Sequence, residues 1–346
     1  MNLDLLKKLC EAPGAPGAEG PVRDVVLQAA RSLVDETEVD ELGNLILRRR
    51  GKGPRVLLDA HLDEVAFLVS AVEGGFVRIV PLGGVDPQVL YGGTLIIWGK
   101  RAVPAVVGPR PPHAGEEKKV PAIEDLFLDP GLSPERLAEL VRVGDVVTFP
   151  PYFEETEEAV LAKALDDRVG LFVILEALRE LGSSPVDLFV TASVQEEVGL
   201  KGAEALIKRL DPDVVLVVEG TLALDVPGIP PHQRLARCGE GPEIRLSDAR
   251  FVADRDLSLG LAKLAERHAI KHQLVVKKKG GTNAAAFQVA GGPRRTAAIS
   301  VPVRYLHGPV SVAFKDDLSA TVRLLKTFLE DPHDALAYRW SYPSSA

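Results

Sequence analysis

The sequence predicts an α/β protein, a mixed sheet flanked by helices that carries an inserted small β-rich domain. Two observations lead there. From Asp166 onward, apolar strand-like runs alternate with amphipathic segments, the rhythm of a sheet with helices on both faces. Between about Leu68 and Glu155 that rhythm is lost. Short β-like runs are separated there by Gly74-Gly75, Gly83-Gly84, Gly92-Gly93 and Pro111-Pro112, and one convincing helix, Pro134–Val141, is present. The expected organisation is a discontinuous α/β domain, 1–67 and 156–346, interrupted by an insert, 68–155. A length of 346 residues suits one large unit and one smaller one.

Taken in order, a first helix is expected from Leu3 to Glu11, stopped by Pro13-Gly14, and a second near Pro21, since proline suits the first helical turn. Asn44 to Arg48 and Arg55 to Ala60 read as strands. Beyond the insert, strands are expected at Val186–Val194, Val214–Val218, Leu274–Val276 and Ala297–Val301. Helices are expected near Val169–Leu181, Gly202–Leu210, Asp256–His268 and Leu318–Leu329. The unbroken apolar run Val214–Val218 implies burial on both faces. The tail, Ser341 to Ala346, is expected to be mobile.

Composition narrows the function. Net charge is −8, and Lys and Arg are dispersed, which argues against nucleic acid as a partner. The short basic runs Arg48–Arg50 and Lys277–Lys279 are expected at solvated strand ends or loop edges. Two distant cysteines, Cys10 and Cys238, make no disulfide framework or zinc-finger spacing and read as inert thiols. The start, Met1-Asn2-Leu3-Asp4, lacks the basic and apolar regions of a signal peptide. No apolar stretch approaches the roughly 20 residues that span a bilayer, so a cytoplasmic location without membrane partners is expected.

Chemistry gathers at strand ends and helix starts, the edge where open α/β sheets bind ligands. His61-Leu62-Asp63-Glu64 follows one strand, Gln195-Glu196-Glu197 a second, Glu219 a third, and Arg304-Tyr305-Leu306-His307 the last. Asp166-Asp167 opens a helix, where capping would account for either aspartate. Two histidines with several carboxylates and no thiolate suit zinc, cobalt or manganese, and one shared carboxylate would let two ions sit about 3.5–4 Å apart. In His61-x-Asp63 the aspartate can accept the ring N–H facing away from a metal. In Glu196-Glu197 one carboxylate can ligate while its neighbour takes a proton from water. His232, His268, His272 and His333 pair with no carboxylate motif and read as structural or solvent-facing; His113 follows Pro111-Pro112.

These motifs, in this order, give the chain a likeness spread over almost its whole length. Leu5-Leu6-Lys7-Lys8-Leu9 to Gly14, His61-Leu62-Asp63-Glu64, Pro81-Leu82-Gly83-Gly84-Val85-Asp86, Ala164-Leu165-Asp166-Asp167-Arg168-Val169-Gly170, Glu196-Glu197-Val198-Gly199 and Arg304-Tyr305-Leu306-His307 resemble the M42 metallo-aminopeptidases. The resemblance implies a di-zinc exopeptidase-like fold and peptide substrates. It implies two divalent ions, zinc or cobalt, one on His61 and Glu219 and the other on Glu197 and His307, with Asp166 bridging. It makes Glu196 the general base and Asp63 the orienter of His61. It further implies that the insert dimerises, and that dimers can build a tetrahedral dodecamer.

Three positions depart from the family pattern. Glu219 and Asn283 stand where aspartate is usual, so at Asn283 a charge near the site is expected to be missing; Gly308 stands where serine is common. A related di-metal amidohydrolase such as a deacylase, or a catalytically weak assembly protein retaining the fold, are the alternative readings. A glycosidase would use the paired carboxylates but leave both histidines without a purpose.

Overall fold

The computed structural model describes residues 1–108 and 122–342; His113 and the tail residues 343–346 lie outside the described residues. Helix α1 spans Leu3–Glu11, capped by Asn2, whose side chain accepts from the Leu5 amide, and it ends at Ala12, before Pro13. Helix α2 spans Gly20–Ala30 with Pro21 in its first turn, and buries Val22, Val26 and Ala30 along one stripe. The remaining helices are α3 (Pro134–Leu140), α4 (Leu165–Glu180), α5 (Lys201–Arg209), α6 (Arg255–Arg267), α7 (Ala284–Val289), α8 (Lys315–Glu330) and α9 (His333–Ala337).

The strands begin with β1 (Glu36–Val39), β2 (Leu45–Arg49) and β3 (Arg55–His61). Six follow: β4 (Ala66–Glu73), β5 (Phe76–Leu82), β6 (Thr94–Trp98), β7 (Ala102–Gly108), β8 (Phe127–Asp129) and β9 (Val146–Thr148). The last eight are β10 (Phe153–Glu155), β11 (Ala159–Ala162), β12 (Asp187–Ser193), β13 (Val214–Leu222), β14 (Glu243–Ser247), β15 (Gln273–Val276), β16 (Arg295–Arg304) and β17 (Ser311–Phe314).

Eleven strands form one large mixed sheet whose main path is β1-β2-β12-β3-β13-β16-β17-β11-β10, with β14 and β15 joined through β16. Its centre, β12-β3-β13-β16, is wholly parallel. Residues alternate across it. Val214, Leu216 and Val218 pack with α1, α2, α4, α6 and α8, whereas Val215 and Val217 pack with α5 and α7. Helices on both faces are why this strand reads as an unbroken apolar run.

Strands β4-β5-β8-β7-β6-β9 close into a barrel with its own core, which includes Phe67, Val77, Ile79, Ile97, Val147 and Leu137 of α3. Along β7 the alternation is strict: Val103, Ala105 and Val107 point inward. The barrel strands run from Ala66 to Thr148, and the last residues of the stretch expected as insert, Phe153–Glu155, pair with β11 in the large sheet.

Helix α4 begins earlier than its apolar period suggests. Asp166 and Asp167 have non-helical φ/ψ, so regular helix starts at Arg168. Lys277 is not a solvated strand end: its ammonium lies 2.8 Å from the buried Glu243 carboxylate. Both cysteines are free thiols pushed up to about 12 by burial. No helix among the described residues is long and apolar enough to cross a membrane.

Candidate metal centre

The four central parallel strands deliver their carboxyl ends side by side. His61 is the last residue of β3; Glu196 and Glu197 lie in the turn after β12; His307 lies three residues past β16. Glu219 is not at a strand end, since β13 continues to Leu222 in register with β16 and pairs Glu219 with Ser300. Apolar content stops at Val218, but main-chain pairing does not. The turns that present these groups are bent. Among non-glycine residues with positive φ are Ala164, Gln195, Leu200, Tyr305 and His307, with φ of 54° to 62°. Such backbone costs about 1–3 kcal/mol each and clusters where geometry is over-determined.

Asp166 stands at the middle. Its Oδ1 lies 3.3 Å from His61 Nε2 and its Oδ2 3.2 Å from His307 Nε2. Glu197 Oε1 is 3.2 Å from His307 Nε2. His307 Nδ1 faces the Gly84 carbonyl at 2.8 Å, so the end of β5 reaches from the barrel to the site. Gly83 (φ 89°) permits that approach: a Cβ there would meet Val65 at 2.9 Å and Glu197 at 3.2 Å.

Asp63 meets His61 through its main chain as well as its side chain. The nearest acceptor for His61 Nδ1 is the Asp63 main-chain carbonyl, at 3.0 Å, with the carboxylate at 3.5 Å. The carboxylate accepts the amides of Glu196 and Glu197, each at 3.0 Å, and so fixes the turn that carries both glutamates. Asp167 caps. Its Oδ1 accepts the amides of Gly170 and Gly220 at 2.9 Å, and its Oδ2 accepts that of His61 at 3.1 Å, tying α4 to β3 and β13.

Asn283 hydrogen-bonds beneath the site, to Asp59 and to Ser193, the register partner of His61. It is buried at the start of α7, where its amide donates to Asp59 at 2.8 Å and Ser193 at 2.9 Å. An aspartate there would set two carboxylates against each other; the asparagine donates a proton instead. Burial pushes Asp59 up to about 6, against hydrogen bonds from Thr191, Asn283 and Ser193. At Gly308 an added Cβ would come 3.0 Å from the Tyr305 carbonyl, which favours glycine over serine.

Too many negative groups meet here for the cations of the chain. Burial disfavours charge on His61 and His307, yet hydrogen bonds donated to Asp166, with help from Asp63 and Glu197 respectively, raise both, His307 to about 11. Burial would raise Asp166, but the two imidazoles hold it well below the usual carboxylate range. Burial pushes Glu196 up to about 8 against the pull of His61, with Glu197, Asp166 and Asp63 adding. Glu219 is raised by burial, opposed by Arg245 and reinforced by Glu196 and Asp167.

The metal-free protein should therefore lose stability as pH rises. Glu196, raised from 4.5 to about 8, holds a proton that the unfolded chain has released, and its contribution, complete below 4.5, fades as pH passes 8. His307, raised from 6.5 to about 11, acts in the same sense over a higher window. Asp166 acts oppositely, its contribution being lost only in acid. Chelated protein is expected to melt at lower temperature at pH 9 than at pH 6, with zinc-loaded protein showing a much smaller decline because bound cations replace the protons. Thermal melts with and without chelator check this.

The donor set fits metal. His61, Asp166 and Glu197 each offer an atom within 4.8 Å of the others. Two ligands each about 2.0–2.1 Å from one tetrahedral ion are about 3.3 Å apart. The His61–Asp166, His307–Asp166 and His307–Glu197 separations are 3.3, 3.2 and 3.2 Å. Glu219 Oε1 is buried without a hydrogen-bond partner, a costly condition that an ion would relieve.

The sequence pattern described as M42 glutamyl aminopeptidase matches residues 43–324. The chain belongs to the M42 family. This M42 aminopeptidase is 34% identical to a solved aminopeptidase of the archaeon Desulfurococcus kamchatkensis, with a TM-score of 0.93 and coverage of 98% of this chain and 97% of that one. It is 31% identical to the TET1 peptidase of Pyrococcus horikoshii, with a TM-score of 0.84 and coverage of 95% and 99%; that protein can assemble into a tetrahedron or a large octahedral shell. It is also 31% identical to the lysyl aminopeptidase of Pyrococcus furiosus, over 96% of this chain and 97% of that one.

Sequence reasoning missed Gly84 as a partner of His307 and the buried trio Glu64, Lys163 and Arg168. The signals were present as a Gly-Gly pair and as charged letters inside the motifs, but their partners lie far away in sequence.

Proposed function

We propose that this M42 aminopeptidase hydrolyses the N-terminal residue from peptides with two divalent ions, zinc or cobalt. One ion would be held by His61 and Glu219, the other by Glu197 and His307, with Asp166 shared. The observation that carries this is the Asp166 carboxylate, whose two oxygens face two different histidines at the edge length of a tetrahedral metal site. The unpartnered oxygen of Glu219 supports it.

Bound ions would supply Lewis-acid activation of water and of the scissile carbonyl. Glu196, fixed through its amide to Asp63, takes a proton from the attacking water and passes it to the departing amine. An ordinary value raised toward neutrality suits it to both transfers. Asp63 and the Gly84 carbonyl hold the imidazoles so that Nε2 of each faces Asp166.

We further infer a homodimer formed through the barrel, with assembly of dimers into a tetrahedral dodecamer, supported by the barrel having its own closed sheet and core and by the likeness to TET1. The cytoplasmic reading is supported by two free thiols and no disulfide.

A panel of leucyl, glutamyl and lysyl chromogenic substrates, with an N-acetylated peptide as control, tests the reaction. Release of free amino acids from unblocked substrates, lost with chelator and restored by zinc or cobalt, is expected. Cleavage of the acetylated peptide alone would make the protein a deacylase instead.

A further inference from the structure

Behind the site lies a second group of charges that the chemistry above leaves unused. The Lys163 ammonium, just past β11, lies 2.6 and 2.7 Å from the two Glu64 oxygens, and Arg168 Nη2 lies 3.5 Å from Glu64 Oε1. All three side chains are at most 2% exposed. Arg168 also donates to the carbonyls of Leu62 and Ala12. Glu64 exchanges bonds with Gly14, accepting its amide at 3.1 Å and donating to its carbonyl at 2.9 Å. Gly14 leaves room for this: a Cβ would meet Arg168 Nη2 at 2.6 Å and the Leu62 carbonyl at 3.1 Å.

The placement of these groups along the chain is what matters. Leu62 and Glu64 alternate with His61 and Asp63, while Lys163 and Arg168 flank Asp166 from either side. The trio therefore cross-links the two segments that bring His61 and Asp166 face to face, with the loop between α1 and α2 closed over the junction. Packing alone would be met as well by apolar side chains, since desolvating two cations and one anion offsets much of their attraction.

We propose that Glu64, Lys163 and Arg168 are positioning residues that set the spacing of His61 and Asp166 and thereby the affinity of the paired ions, an inference that rests on the two-ion reading of the site. The same two segments are also joined by Asp167, which holds the His61 amide, and by the His61–Asp166 contact itself. Asp167 fixes the backbone of His61; the trio fixes the segments on both sides of it.

Cobalt(II) titration of metal-free protein, followed by visible absorption and calorimetry, tests this without reference to turnover. Lys163→Met keeps the balanced Glu64–Arg168 pair and Glu64→Gln unbalances it; both are expected to weaken cobalt binding at least tenfold and to shift the ligand-field bands, with Lys163→Arg recovering part of the loss. Glu176→Gln is the control. It removes another buried carboxylate of α4, one bonded to Arg179 at 2.6 Å and the Asn2 amide at 3.0 Å, and is expected to lower the melting temperature without moving either readout. Unchanged cobalt affinity and spectrum in folded Lys163→Met, or an equal loss in Glu176→Gln, would overturn the proposal. Should Glu64→Gln fail to fold, Lys163→Met decides alone. Wild-type protein that takes up no cobalt would instead overturn the two-ion reading itself.

Discussion

Replacing Glu196 with glutamine is expected to lower kcat by about 10²–10⁴-fold, the range that a positioned general base contributes, with metal content and KM nearly unchanged. Glutamine keeps the size of the side chain and the main-chain bond to Asp63, so the turn carrying Glu197 should hold its shape. Only the proton acceptor is lost. The neighbouring Glu197 cannot substitute, because its Oε1 lies 3.2 Å from His307 and is committed to that side of the site. Initial-rate kinetics with elemental analysis of the same sample give the answer; kcat within tenfold of wild type would remove Glu196 from this role.

Asp166→Asn is expected to cost still more, at least about 10³-fold in kcat/KM, beyond the 10–100-fold typical of residues that merely support a ligand. An asparagine has one acceptor oxygen and presents N–H donors on the other side, so it can face His61 or His307 as a shared ligand but not both. The two effects differ in character. Glu196→Gln should leave a loaded, inert centre, whereas Asp166→Asn should leave one that cannot hold its pair.

The central sheet was readable because its strands are buried on both faces and bounded by polar residues, and α1 was readable because Pro13-Gly14 stops it. Candidate groups stood out where an apolar run gave way to acids and histidines, and four of them, His61, Asp166, His307 and Glu197, are linked in that order by contacts of 3.3, 3.2 and 3.2 Å in the folded chain. What escaped was information held in pairing across long separations. Glu219 looked like a strand end since hydrogen bonding of Gly220 to Leu222 with β16 leaves no apolar trace. Asn283 stood out as a missing charge, but its hydrogen bond to Asp59, 224 positions away, could not be read. The Asp63 carbonyl is nearer to His61 Nδ1 than its carboxylate, a distinction set by one turn's geometry that no letter encodes.

Zinc titrated into metal-free wild-type protein and into Asp166→Asn, with bound ions counted per chain, bears most directly on the shared carboxylate. Two ions per wild-type chain and at most one in the variant is the expected outcome. A single ion in wild type, or a full pair retained without the Asp166 carboxylate, would contradict it.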